Sequence, residues 1–130
     1  MKSYVVDTHA VVWYLTDDAR LGKKARQILE TDSNQLILPA IVLAEARYIA
    51  ERKRVPISFP DILAAITTDP RCIVYPIDIL TVFYLPEGLN IHDSLILATA
   101  LLCRDLLKQE IHILTKDEAI KESGLIPTVW

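Results

Sequence analysis

The 130-residue sequence predicts one α/β domain, a three-layer α/β/α sandwich around a parallel sheet of about five short strands. Two observations lead there. The runs SYVV (3–6), QLIL (35–38), CIVY (72–75), IHIL (111–114) and PTVW (127–130) are short, apolar and bounded by polar residues or proline. They are apolar on both faces and separated by helical patterns, as strands are when helices cover both sides of a parallel sheet. With 52% hydrophobic residues, the chain has ample material for one core.

The first strand runs straight into a helix over 8–15, so that KSYVVDTHAVVWYL is apolar except for Asp7, Thr8 and His9 in its middle and the leading Lys2 and Ser3. A carboxylate among so much hydrocarbon is costly to desolvate without a partner. One available role is to cap the helix that begins at Thr8. A helix over 22–32 follows, and the second strand leads to a helix over 40–54. At about 100° per residue, Arg47, Glu51 and Arg54 share the solvated side of that helix. Glu45 lies about 160° away, between Ile41 and Ile49, and so projects from the apolar face. Ala44 and Ala46 beside it are small enough to admit other segments. An ion pair with an arginine, or the cap of another helix, accounts for such a glutamate as readily as a functional role.

Helices over 59–68 and 78–84 flank the third strand, and PEGLN (86–90) is a turn. The helix over 91–108 is apolar on nearly every side as far as Arg104 and Asp105, the pattern of a buried helix. Asp93 and Ser94 stand in its first turn, where a carboxylate favours the macrodipole and free N–H groups. The connection RDLLKQEIH to the fourth strand carries no glycine. Asp117 follows that strand and can cap a helix over 117–123.

No stretch reaches the roughly 18 apolar residues of a spanning helix, and Asp7 interrupts any secretory signal, so a cytoplasmic location is expected. Cys72 and Cys103 lie in apolar contexts without CxxC spacing, which predicts buried reduced thiols. A net charge of −3 argues weakly against nucleic-acid binding. The basic residues nevertheless come in bunches, Arg20, Lys23, Lys24 and Arg26 in one and Arg47, Arg52, Lys53 and Arg54 in another. Solvated helix faces explain both bunches; phosphate contacts beside a cleft are the other reading.

Ligands of open parallel sheets gather beyond the carboxyl ends of the strands. Asp7 and Asp117 lie at such ends, Asp93 heads a buried helix and Glu45 points inward, so all four can converge on one rim. Two carboxylates about 4 Å apart repel by roughly 4 kcal/mol at an effective dielectric of 20. A cation must therefore hold such a cluster. No cysteine or histidine joins it at ligand spacing, and an oxygen donor set selects Mg²⁺ or Mn²⁺ over zinc.

The segments YVVDTHAVVWYL, LAEARYI, IHDSLILATAL and ILTKDEAI, taken in order, resemble the PIN domain family, in particular the VapC-type toxins of toxin–antitoxin pairs. The resemblance runs from about residue 4 to the closing PTVW. It implies a doubly wound parallel sheet, Mg²⁺-dependent ribonuclease activity, and acidic positions at Asp7, Glu45, Asp93 and Asp117. Thr115 falls on the small hydroxyl position after the fourth strand, and Thr8, Ser94 and Thr115 are expected to orient waters or phosphate oxygens. The resemblance further implies an RNA substrate, a small antitoxin partner and a homodimer. The 24 positions from Asp93 to Asp117 exceed the spacing expected from it.

Among the histidines, His9 is expected to pack or cap locally, His92 to support the adjacent Asp93, and His112 to be structural. Trp13, Tyr14, Tyr48, Phe83 and Tyr84 are available to stack on bases, although core packing explains them too. Two other readings stand beside the nuclease. A PIN-like module that binds without turnover keeps the same residues. A phosphoaspartyl phosphatase or receiver domain also places an Asp at a strand end, but a phosphatase of that kind wants an acid two positions on, where His9 stands.

Overall fold

A computed structural model describes residues 2–130. Its sheet consists of β1 (Ser3–Val6), β2 (Gln35–Pro39), β3 (Cys72–Tyr75), β4 (Ile111–Leu114) and β5 (Thr128–Val129). The order is β3-β2-β1-β4-β5, with every neighbouring pair parallel. The helices are α1 (Thr8–Leu15), α2 (Lys23–Glu30), α3 (Ala40–Glu51), α4 (Phe59–Thr68), α5 (Ile79–Phe83), α6 (Ile91–Leu107) and α7 (Glu118–Ser123). This is the α/β architecture read from the sequence, doubly wound about β1.

Val5 sits in register with Ile37 on one side and Ile113 on the other, and all three are buried. The α6 residues Asp93 through Ala100 are buried without a break, which makes this helix a second spine of the core. Its first turn is set by Asn90, whose side chain accepts from Asp93 N. Its last residue hands over to Lys108 at φ 52°, a left-handed position that glycine fills at many helix ends. The glycine-free connection is thus closed by a lysine in a conformation that costs a side-chain-bearing residue on the order of 1 kcal/mol.

Several boundaries differ from the periodicity. The α3 pattern extends to 54, but the helix stops at Glu51 because Lys53 turns left-handed at φ 54° and Pro56 follows. Likewise, α2 begins after Gly22, and β5 pairs only over two residues. β3 is not buried on both faces. It is the sheet edge, and Ile73 and Val74 are 43% and 41% exposed. For the same reason Cys72 is only half-buried, whereas Cys103 is buried; both are free, and burial pushes each thiol up to about 11. No helix among the described residues is long and apolar enough to cross a membrane.

Candidate active site

The sheet order reverses at β1: the chain moves outward through β2 to β3, then returns to β4 on the other side. Such a reversal opens a crevice between the carboxyl ends of the two strands that meet there, β1 and β4. Asp7 is the first residue beyond β1, and its N–H donates to Leu114 O at 3.1 Å, prolonging the ladder. Its side chain lies in the crevice, 8% exposed. Oδ1 accepts from Thr8 N at 2.7 Å, and Oδ2 accepts from Thr115 Oγ1 at 2.6 Å. Thr115, one residue past β4, in turn accepts from Asp117 N at 3.0 Å. Two strand ends are therefore tied together through one hydroxyl and one carboxylate. Burial pushes the Asp7 carboxyl above its ordinary range, opposed by the Thr115 and Thr8 hydrogen bonds. The charge of Glu45 also raises it, which places Glu45 in the same electrostatic neighbourhood.

Glu45 comes from the inward face of α3 and Asp93 from the buried start of α6. His92 joins them. Its Nε2 touches Glu45 Oε2, and its Nδ1 lies 3.6 Å from Asp93 Oδ1. Nε2 and the Glu45 carboxylate form an ion pair. The Glu45 carboxylate raises the His92 imidazole to about 9, with Asp7 and Asp93 adding to it, and His92 holds Glu45 below the usual carboxylate range. Asp93, buried, also accepts from Asn90 Nδ2 at 2.8 Å. The reading that only a metal ion could stabilise this cluster needs correction: a histidine does belong to it, and the imidazolium supplies one counter-charge.

The remaining sequence candidates separate. Asp117 Oδ1 accepts from Ile120 N at 3.1 Å, the helix cap foreseen for it, and the residue also lines a cavity of about 200 Å³ with Asp7, His9, Ala10, Lys116 and Trp130. Ser94 turns away: its hydroxyl donates to Leu89 O at 3.4 Å. Thr8 Oγ1 is buried with no hydrogen-bond partner. Three of the eight residues in the basic bunches form ion pairs, Arg20 with Asp18, Arg26 with Asp17 and Arg47 with Glu51, and Arg52 lies over Tyr48. His112 tilts against Tyr4 with ring centroids 6.0 Å apart.

A family model described as the PIN domain matches residues 4–124, nearly the whole chain. The chain belongs to the PIN domain family. It is also similar to the crystal structure of VapBC2 from Rickettsia felis bound to a DNA fragment from their promoter, at 17% identity and a TM-score of 0.72, with 98% of each chain covered. At that identity the likeness is one of fold. No curated protein matches the sequence.

PIN domains imply a divalent cation, and the residues of this one fit it in kind. The carboxylates of Asp7, Glu45 and Asp93 against one imidazolium leave two formal negative charges, the donors are hard oxygens, and the orphaned Thr8 hydroxyl offers one more. Among the described residues, however, no three acidic, histidine or cysteine side chains converge closely enough to hold an ion as placed. His92 engages Glu45 and Asp93 instead. Sequence reasoning gave His92 only a supporting part beside Asp93; the adjacency IHD was the available signal. It missed Asn90, Lys116 and Trp130 at this PIN site altogether, since a loop amide, a lysine and a tryptophan just past β5 carry no pattern of their own.

Proposed function

We propose that this PIN domain is a Mg²⁺- or Mn²⁺-dependent endoribonuclease, the VapC-type toxin of a cytoplasmic toxin–antitoxin pair. One observation carries the reading: Asp7, Glu45 and Asp93, far apart in sequence, share one electrostatic neighbourhood with His92 at the sheet's topological crevice, in a chain of a family whose resemblance implies RNA cleavage. A divalent ion supplies the charge that activates water and neutralises the scissile phosphate.

The chain's own residues supply the rest. Asp7 and Asp93 would hold the ion directly, and both are oriented beforehand, Asp7 by Thr8 N and Thr115 Oγ1, Asp93 by Asn90. Glu45 would hold it directly or through water and would accept the proton of the attacking water once His92 releases it. Asp117, at the rim, is an outer ligand. Thr8 keeps a hydroxyl unspent for a water or a phosphate oxygen. Attack in line leaves a 5′-phosphate and a 3′-hydroxyl.

The partners follow the same reading. VapBC2 is a complex by its name, and we extend an antitoxin to this chain, together with a second copy of itself. The support here is an uncovered apolar face on and beside the edge strand: Ile79 and Phe83 of α5 are 73% and 80% exposed, next to Leu80 and Val82, with Ile73 and Val74 on β3.

The test is cleavage of varied RNAs by the purified protein, with and without Mg²⁺ or Mn²⁺, against a folded Asp93→Asn variant. Ion-dependent cleavage by the parent, lost in the variant, is expected. The close His92–Glu45 pair favours a second reading, a PIN-like module that binds without turnover; equal RNA binding and no cleavage by either protein would establish it instead.

A further inference from the structure

Next to the acidic cluster is a feature that neither the metal nor the hydrolysis requires. The cavity of about 200 Å³ is lined by the carboxylates of Asp7 and Asp117 together with His9, Ala10, Lys116 and Trp130. His9, Lys116 and Trp130 each contact Trp13, which is buried behind them at 4% exposure. The His9 and Trp13 ring centroids are 5.0 Å apart at 51°, and the Trp13 and Trp130 rings meet edge to face at 5.8 Å. Lys116 Nζ lies 4.6 Å over Trp13. Although Asp7 and Asp117 line the same cavity, Lys116 makes no ion pair with an acid among the described residues. Its ammonium is met by the Trp13 ring and by no carboxylate among the described residues.

Gly22 makes the arrangement possible. A Cβ there would fall 2.3 Å from the Trp130 carbonyl carbon and 2.5 Å from its Cδ1, so only glycine lets Trp130 lie this close. The cavity is smaller than the roughly 300 Å³ at which pockets begin to take drug-sized ligands, and suits a single planar ring better than a whole nucleotide. The Asp7 and Asp117 carboxylates in its lining disfavour a phosphate inside it, whereas a neutral heteroaromatic base tolerates them and presents N–H groups to them. Single-stranded RNA is read in this manner, with unstacked bases laid against aromatic side chains.

We infer that this cavity is a stacking subsite for one unpaired nucleobase of the RNA substrate, Trp130 and His9 taking the base and Lys116 the adjacent phosphate. The inference rests on the ribonuclease reading and adds to it a determinant of which nucleotide lies beside the cleaved bond.

Trp13 and Trp130 are the chain's two tryptophans, so fluorescence excited selectively in tryptophan reports on Trp130 in the cavity and on Trp13 in contact with it. The full chain is titrated with short single-stranded oligoribonucleotides of each base, Ca²⁺ replacing Mg²⁺ to slow turnover. Saturable quenching is expected. Trp130→Ala should weaken RNA affinity by about 5- to 150-fold, the range for losing one stacked base, while Trp130→Phe retains most of it. Lys116→Gln should lower the slope of log affinity on log salt by about 1. His9→Ala should flatten the base preference of cleavage. Should Trp130→Ala fail to fold, the solvent-exposed His9 and Lys116 carry the test.

A parent that cleaves RNA but shows no quenching, or whose affinity and preference survive these substitutions, overturns the subsite and leaves the nuclease standing. A parent that neither binds nor cleaves RNA overturns both.

Discussion

Replacing Thr115 with Val removes one oxygen from the centre of the site and almost nothing from the packing. That oxygen donates to Asp7 Oδ2 at 2.6 Å and accepts from Asp117 N at 3.0 Å, with Thr115 and Asp7 only 3% and 8% exposed. A hydrogen bond to a charged group contributes about 1.5 to 3 kcal/mol. At roughly 3 to 5 °C per kcal/mol for a domain of this size, the metal-free variant should melt roughly 5 to 15 °C below the parent at neutral pH. The sign of the pH dependence follows from Asp7. Its carboxyl already titrates above the ordinary range through burial, and the Thr115 hydroxyl is the largest influence opposing that rise. Thr115→Val therefore raises the folded pKa further. The stability gap is full above that pKa and closes as pH falls and Asp7 takes up its proton. The assay is thermal unfolding followed by circular dichroism across pH 4 to 8, with Thr115→Ser as the control that keeps the hydroxyl. A gap under about 1 kcal/mol at neutral pH, or one that does not narrow on acidification, would refute the coupling of Thr115 to an ionised Asp7.

Other consequences are open to measurement. The His92 imidazole is raised from 6.5 to about 9, so its stabilising contribution is full below pH 6.5 and lost as pH rises through 9. The metal-free parent should lose roughly 1 to 2 kcal/mol over that window, after allowance for partial exposure, and His92→Gln should not. Lys108→Gly relieves the left-handed strain at the end of α6 and should raise the melting temperature by a few degrees, corresponding to about 0.5 to 1 kcal/mol. Leu80→Asp combined with Phe83→Asp should shift sedimentation toward a monomer without lowering the melting temperature of the isolated chain, because Leu80 is 47% and Phe83 80% exposed.

What the sequence revealed follows the range of the forces involved. SYVV, CIVY and IHIL mark their strands residue for residue because β-branched runs between turn residues are local signals. The inward aim of Glu45 came from helical geometry alone, and the capping role of Asp117 from its place before EAIKES. The exposed face of β3 was hidden because its apolar run reads like those of the central strands; only sheet order makes it an edge. His92 reaches Glu45 because α3 packs against α6, a contact between residues 47 positions apart that neither helix announces. The same holds for Trp130, whose close seat on Gly22 depends on two ends of the sequence meeting.

The most direct test of the central claim is equilibrium Mn²⁺ binding, followed by electron paramagnetic resonance of the free ion. Saturable binding by the parent is expected, lost in folded Asp7→Asn and Asp93→Asn and weakened in Glu45→Gln. Unchanged binding in all three variants would contradict it.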